Sequence, residues 1–442
     1  MQLRRHKDII AIKNGANAPV AFHARNLEVA SVSEEVWASM APTTFDNGFV
    51  MNMLSSEKGV NAEAYSSLEG WDLENSSSVA TRNFGSSVTS ITLNVTQLCN
   101  LHCTYCAAGG DGTYGDPVTK ITVEKTLPQI EFFLNKLGGN SSFTITFLGG
   151  EPLLYPDALK AIADHAKTVG AAKGIKTNFN VITNGTLIND KCLEILTSIQ
   201  ANITVSIDGP PENQDKARPQ KNGEGSSKAA LAGLEKLLSR QSDLGKILIH
   251  AVFSKKNLEV EKAYRFFSEF PVNAFEFTFD ITEADPSANS IFMNEMARVA
   301  ELAYSRGGEA ELRKISLFDG YFNALDEQQR TENHCGSGKS LLSIDSNNKI
   351  FACPLDVGQK NNQVGLAQDI DSDKLAELQS PLIEKNNCQT CWARYLCGGG
   401  CMFVHKTLTG NKHRKHISFC ERTRYLISLT VLYYEHSRGL KG

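Results

Sequence analysis

Between Ser87 and Gly308 the chain changes its hydrophobic period repeatedly, from strand-like to helix-like and back. Short apolar runs at 90–95, 143–148, 176–183, 203–207, 247–253 and 274–279 read as strands, being too short for helices and rich in β-branched and aromatic residues. Amphipathic segments near 122–137, 156–169, 187–199, 226–240, 258–268 and 290–305 alternate with them and read as helices. Such alternation predicts parallel β-α units with both sheet faces covered. A complete barrel needs eight units, and this chain supplies six. The predicted fold is therefore α/β, an open partial (β/α)6 TIM-like barrel over 89–310. In parallel architectures chemistry gathers at the carboxyl ends of the strands.

The first strand runs into Leu98-Cys99-Asn100-Leu101-His102-Cys103-Thr104-Tyr105-Cys106, which places Cys99, Cys103 and Cys106 at spacing C-x3-C-x2-C. Three thiolates on one loop can hold three irons of a cubane 4Fe–4S cluster and leave the fourth iron to a substrate or cofactor. Zinc competes for the same residues, but it usually takes four ligands, and only His102 stands nearby. The second strand ends in Gly149-Gly150-Glu151-Pro152, where the glycines would let the backbone approach a ligand and Glu151 offers an acceptor. The third ends in Thr183-Asn184-Gly185 and the fourth in Ser206-Ile207-Asp208-Gly209-Pro210. Each is ordinary turn chemistry by itself. Beside a three-thiol loop they form a constellation.

Composition bounds what surrounds this core. A net charge of −4 makes no electrostatic case for nucleic acid or an anionic membrane surface. No run approaches the length of a membrane span, and the basic first residues lead into no signal-peptide core, so the chain is expected in the cytoplasm. In that reducing compartment its eleven cysteines read as metal ligands before disulfides. Seven of them lie in the last third: Cys335, Cys353, Cys388, Cys391, Cys397, Cys401 and Cys420. A pair of zinc sites is one reading, because C-x2-C opens many zinc knuckles. Cys192, in a predicted helix, is most simply a buried hydrophobe.

Residues 1–55 predict a small β-β-α unit, with strands at 8–12 and 20–29 around the turn Asn14-Gly15-Ala16-Asn17. A capping box at Ser31-Val32-Ser33-Glu34 opens a helix through Trp37. The unit could present a sheet edge to an extended peptide, or simply pack on the main domain. Ser- and Asn-rich stretches make 56–88 a linker by composition, and 311–442 forms a cysteine-rich C-terminal domain that ends in a helix near 423–435.

Residues 90–285 resemble the radical S-adenosylmethionine (SAM) core. The resemblance rests on C-x3-C-x-aromatic-C at Cys99, Cys103, Tyr105 and Cys106. It rests also on Gly149-Gly150-Glu151-Pro152, and on Ser206 to Pro210 followed by Asp215 and Arg218. It implies a cluster whose open iron is chelated by the amino and carboxylate groups of SAM. Glu151 and the backbone of Gly149 and Gly150 would hold the methionyl amine, and Ser206 and Arg218 are candidates for its carboxylate. Residues 330–425 resemble the SPASM domain, which carries auxiliary clusters. That likeness implies one cluster on Cys335, Cys353 and Cys401 and another on Cys388, Cys391, Cys397 and Cys420, making three 4Fe–4S clusters in all. Two departures stand out. Asn348 replaces a glycine common in the family, a place where asparagine also tolerates positive φ. No fourth cysteine lies between Cys335 and Cys353, so the first auxiliary cluster has either an open iron or a non-cysteine ligand.

The resemblance implies an oxidoreductase in which reduced cluster and SAM yield a 5′-deoxyadenosyl radical that abstracts a substrate hydrogen. A one-electron donor such as flavodoxin or ferredoxin is implied. SPASM-bearing relatives mostly modify ribosomally made precursor peptides. An open auxiliary iron fits thioether formation from a cysteine-containing peptide, and the N-terminal unit is similar to a leader-peptide recognition element. Anaerobic sulfatase maturation to formylglycine is the alternative. There an aspartate follows the second auxiliary cysteine, but this chain has Pro354, with Asp356 the nearest carboxylate. A non-catalytic iron–sulfur or zinc protein is the reading of another class.

Overall fold

A computed structural model describes residues 1–15, 17–45, 61–73, 79–82, 84–85, 87–106 and 120–439. Two compact units emerge: Met1–Asn83, Ile281–Cys335 and Pro381–Gly442 form the first, and Phe84–Asp280 with Gly336–Ser380 the second. Among the described residues no helix is long and apolar enough to cross a membrane.

The first unit opens with β1 (Gln2–His6), β2 (Ile9–Lys13), β3 (Val20–His23), β4 (Glu28–Ser31), α1 (Glu34–Ala38) and β5 (Ala41–Thr43). Its antiparallel sheet runs β4-β3-β2-β1-β5, five strands where the sequence predicts two. The predicted strand at 20–29 breaks at a turn where Leu27 takes φ 55°. β1 escapes prediction because its sequence, Gln-Leu-Arg-Arg-His, reads as polar, yet Arg5 is buried with its Nη2 donating to Thr390 O at 2.6 Å. The helix cap also shifts from the predicted box: Ser33 is the N-cap, and its Oγ accepts from Val36 N at 3.3 Å. Inside the predicted linker lie α2 (Ala62–Leu73) and β6 (Ala80–Arg82), because Leu68 and Trp71 pack with Trp37 and Met40 on Ile9, Ala11 and Ala21 of the sheet. The turn residue Ala16 and much of the linker's Ser-rich sequence lie outside the described residues.

The second unit contains the barrel: β7 (Ser90–Thr96), α3 (Val123–Asn135), β8 (Ser142–Gly149), α4 (Pro156–Ala172), β9 (Lys176–Thr183), α5 (Asp190–Ser198), β10 (Asn202–Ser206), α6 (Pro211–Ala217), α7 (Ser227–Ser239), β11 (Ile247–Phe253), α8 (Val260–Phe267) and β12 (Ala274–Phe279). Neighbouring strands from β7 to β12 pair in parallel, in the order in which the chain forms them. Ile91, Leu93, Ile145, Phe147, Phe179, Val181, Ile203, Val205 and Ile249 fill the fully buried face. Each such side chain contributes roughly 1.5–3 kcal/mol of burial free energy. The other face is more polar than two covered faces would require. There Asn202 Nδ2 donates to Asn180 Oδ1 at 2.9 Å, and Asn180 Nδ2 to Thr146 Oγ1 at 3.2 Å.

After the barrel the chain forms α9 (Pro286–Leu312), α10 (Ser316–Asp326) and β13 (Gln329–Thr331) in the first unit. α9 is interrupted at Gly307 and Gly308, the latter at φ 61°. β13 pairs in parallel with β6. Then β14 (Leu341–Ile344), β15 (Ile350–Phe351), β16 (Gln363–Leu366) and β17 (Asp369–Ile370) add four strands to the barrel sheet on the β7 side. β14 is parallel to β7 and the rest are antiparallel, so the sheet has ten strands where the sequence predicts six. Asn348, at φ 64°, makes the turn before β15, and its side-chain oxygen accepts from Thr126 Oγ1 of α3 at 2.6 Å.

The chain ends with α11 (Ser372–Gln379) in the second unit and α12 (Leu382–Lys385), α13 (Arg394–Cys397), α14 (Met402–Thr409) and α15 (Ile417–Gly439) in the first. Leu3, Ile10, Ile12 and Phe22 of the N-terminal sheet form one core with Trp392, Leu396, Ile427 and Val431. The N-terminal sheet thus packs on the cysteine-rich segment. Arg394 fastens this contact with two bonds to Asp8, Nη1 to Oδ1 at 2.7 Å and Nη2 to Oδ2 at 3.0 Å.

Candidate functional site

Parallel register brings four strand ends of the second unit together around the three-cysteine loop. The loop is strapped to the segment after β10 by His102 N to Pro219 O at 2.8 Å and Thr104 N to Ala217 O at 2.9 Å. Its other side lies against the end of β8, where Gly150 N donates to Thr96 O and Glu151 N to Leu98 O, both at 2.8 Å. The glycine pair lets the end of β8 close on the end of β7 and the start of the cysteine loop. A Cβ on Gly149, which holds φ 140°, would lie 2.1 Å from Thr96 O, and one on Gly150 would lie 1.9 Å from Leu98 O. No side chain fits either place, and the amides of Gly150 and Glu151 are engaged by the end of β7 and the start of the cysteine loop.

Glu151 is buried, and its carboxylate collects three donors: Leu153 N at 3.0 Å, Thr183 Oγ1 at 2.8 Å and Asn184 N at 2.8 Å. Burial pushes its acid up to about 7, and these three bonds pull against that rise. A carboxylate can accept about four hydrogen bonds, so capacity remains for a cationic donor. Asn184 also donates from Nδ2 to Cys99 Sγ at 3.7 Å and to Asn100 Oδ1 at 2.9 Å, and Leu101 N donates to the same sulfur at 3.4 Å. Burial pushes the Cys99 thiol up to about 12 and that of Cys103 to about 11, with Arg218 drawing Cys103 down.

Arg218 is a buried cation, not a solvated surface charge. Its Nε lies 3.1 Å from Asp208 Oδ2, which also accepts from Tyr105 Oη at 2.6 Å, and its guanidinium sits 5.3 Å from the centre of the Tyr105 ring. Burial opposes the charge on Arg218, but Asp208, Tyr105 and Cys103 outweigh it and hold the cation. Ser206 is the register partner of His250, whose Nε2 meets Thr278 Oγ1 at 3.0 Å. Asp215 instead anchors the start of α7, where it accepts from Ser227 N at 2.7 Å and from Ser227 Oγ at 2.9 Å. Beside Tyr105 opens a cavity of about 310 Å³ lined in part by Thr104, Asn213, Val252 and Asn257. Asn184 and Asp208 were visible as turn residues, but nothing local marked them as partners of Cys99 and Arg218.

A second constellation lies in the first unit. Cys388, Cys391, Cys397 and Cys420 edge a cavity of about 270 Å³, with Arg394, Lys415 and Arg424 in its wall. Gly398, Gly399 and Gly400 all take positive φ (66°, 88° and 81°), so the chain can turn sharply between Cys397 and Cys401. Burial pushes the Cys388 thiol up to about 11. Among the described residues no three His, Cys, Asp or Glu side chains converge on a point that one ion could occupy. A cubane spreads its thiolates over separate irons, so four sulfurs around a cavity fit a cluster better than a tetrahedral ion. Of the remaining cysteines, Cys335 and Cys401 belong to the first unit and Cys353 to the second, and Cys192 is buried in α5.

Residues 93–267 match the model of the Radical SAM superfamily. The chain is 23% identical over 371 residues to the radical SAM cyclopropyl synthase TigE of Paramaledivibacter caminithermalis, covering 78% of this chain and 74% of that one. It is 25% identical over 331 residues to a serine-type anaerobic sulfatase-maturating enzyme of Klebsiella pneumoniae, covering 71% and 81%. Among solved structures, Streptococcus suis SuiB bound to precursor peptide SuiA shares the fold at a TM-score of 0.52 and 14% identity, over 94% of this chain and 98% of that one.

Proposed function

We propose that this chain, which is a radical SAM enzyme with a SPASM-type extension, modifies a ribosomally made precursor peptide and closes a thioether or other crosslink in it. The observation that carries this reading is the pairing of a three-cysteine loop among strand-end SAM motifs with a separate four-cysteine cavity. The precursor peptide bound to SuiB, a protein of similar fold, supports a peptide substrate.

When bound, a reduced 4Fe–4S cluster with SAM supplies a 5′-deoxyadenosyl radical able to remove hydrogen from an unactivated carbon. In our reading Cys99, Cys103 and Cys106 hold that cluster. Glu151, with the backbone of Gly149 and Gly150, takes the methionyl amine, because a buried acid near neutrality can ionise for a cation. Arg218, fixed on one side by Asp208, and Ser206 take the carboxylate; a guanidinium fork suits that group. Tyr105 and the cavity beside it receive the nucleoside. Cys388, Cys391, Cys397 and Cys420 serve one auxiliary cluster, and the SPASM resemblance assigns Cys335, Cys353 and Cys401 to another. The N-terminal sheet, whose edge strands are β4 and β5, receives the leader peptide in this reading. A flavodoxin or ferredoxin in the cytoplasm supplies electrons.

Formylglycine formation is the second reading, favoured by the sulfatase-maturating relative. Against it stands Pro354 in place of the expected aspartate, while the Asp356 carboxylate accepts from Asn362 Nδ2 at 2.6 Å in a local turn. The test is anaerobic reconstitution followed by SAM, a reductant and, in parallel, a cysteine-containing precursor peptide encoded beside the gene or a sulfatase-derived peptide. We expect roughly twelve irons per chain, 5′-deoxyadenosine, and a precursor peptide lighter by two hydrogens. Conversion of the sulfatase peptide alone would replace the crosslinking reading, and no 5′-deoxyadenosine from fully loaded protein would overturn both.

A further inference from the structure

The four-cysteine cavity of the first unit is set among cations. Arg5, Arg394 and Arg424 are all buried, at 7%, 5% and 5% exposure. Arg394 spends two of its nitrogens on Asp8. Arg424 donates from Nε to Phe45 O and from Nη1 to Cys391 Sγ at 3.8 Å. Arg5 donates from Nη2 at 2.6 Å to the carbonyl of Thr390, the cavity-lining neighbour of Cys391, and its charge is favoured by Cys391 and Asp8 and opposed by Arg394 and Arg424. Lys415, exposed, donates to Asn387 O at 2.6 Å and acts on both Cys388 and Cys420.

Burying guanidinium groups side by side is costly unless an anion faces them. Asp8 faces Arg394 and also acts on Arg5, and a cluster ligated by four thiolates is the anion that Arg424 would meet at Cys391. Nearby positive charge and N–H donors to the ligand sulfurs are among the factors that set a cluster's potential, and both favour the more negative, reduced state.

We propose that Arg424, backed by Arg5 and Lys415, raises the reduction potential of the cluster held by Cys388, Cys391, Cys397 and Cys420 and so poises it to take up an electron. This rests on the reading that those four cysteines hold a 4Fe–4S cluster. The distinguishing contact is the Arg424 N–H directed at the Cys391 sulfur. Lys415 stands exposed in the wall of the same cavity, so its influence falls with added salt.

The test uses the full chain, reconstituted anaerobically, with iron and sulfide counted. The reduced cluster is followed by electron paramagnetic resonance against a series of mediator potentials, and the signal missing from Cys388→Ser identifies the centre. Arg424→Gln should move its midpoint to a more negative potential. Arg424→Lys, which keeps the charge but loses the fork, should move it less. Lys415→Gln, a surface change that leaves the fold intact, should move it in the same direction by an amount that shrinks at high salt. If Arg424→Gln fails to load iron, Lys415→Gln decides. Unchanged midpoints in iron-replete Arg424→Gln and Lys415→Gln would overturn the proposal while leaving the cluster in place. A wild-type chain with no signal that depends on Cys388 would overturn the ligation itself.

Discussion

Replacing Gly150 by alanine tests whether the glycine pair exists to let the end of β8 close on the cysteine loop. The added Cβ would sit 1.9 Å from Leu98 O, 2.3 Å from Leu98 C and 2.8 Å from Cys99 N, all backbone atoms. No rotamer can relieve such contacts, so β8 and the loop must separate by about an ångström, an overpacking strain of roughly 1–3 kcal/mol. That separation also stretches the bonds from Gly150 N to Thr96 O and from Glu151 N to Leu98 O, each worth about 1 kcal/mol. Against this stands a gain of about 0.4–1 kcal/mol from restricting the unfolded chain. The net expectation is a loss of about 3 kcal/mol. Urea unfolding of the metal-free chain, followed by circular dichroism, measures it. Gly138→Ala is the control, since its Cβ would meet nothing within 4 Å. If Gly150→Ala and Gly138→Ala unfold at the same urea concentration, the steric argument is wrong.

Three further outcomes follow from the same geometry. Between about pH 4.5 and 7 the folded chain keeps a proton on Glu151 that the unfolded chain has lost, so stability should fall as pH rises through that window and level off above it. The fall from pH 5 to 8 is about 2 kcal/mol, and comparison of urea midpoints should show it missing from Glu151→Gln. Asp8→Ala leaves the buried Arg394 without its carboxylate, at a cost of roughly 3 kcal/mol. Arg394→Met in the same chain should recover part of that loss, as a double-mutant cycle would reveal. Cys99→Ala should abolish 5′-deoxyadenosine formation, while Cys388→Ala should retain some of it with about four fewer irons; intact peptide product from Cys388→Ala would refute a role for the second auxiliary cluster.

The barrel strands were legible because each carries its signal locally, in alternating apolar residues such as Ile145 and Phe147 or Ile203 and Val205. The cysteine sets were legible for a similar reason, since cluster ligands come in short, fixed spacings. β14 was not legible. Four residues long, it owes its strand character to β7, some 250 residues earlier, and a long-range pairing leaves little trace in its own composition. β1 was hidden by Arg5, whose burial depends on a carbonyl at Thr390.

The strand-end motifs divide the same way. Sequence alone determined that Glu151, Ser206 and Arg218 stand at or just beyond strand ends, because motif and periodicity are properties of neighbouring residues. It did not determine what they touch. Tertiary structure decided that Asp208 holds Arg218 beneath Tyr105 and that Asn184 reaches the Cys99 sulfur. It decided also that the glycines at 149 and 150 accommodate the cysteine loop. It joined Asp8 to Arg394 across 386 residues and so seated the N-terminal sheet on the cysteine-rich segment. Contacts of this kind depend on which strands pair and in what register, and those are set by burial summed over the whole unit.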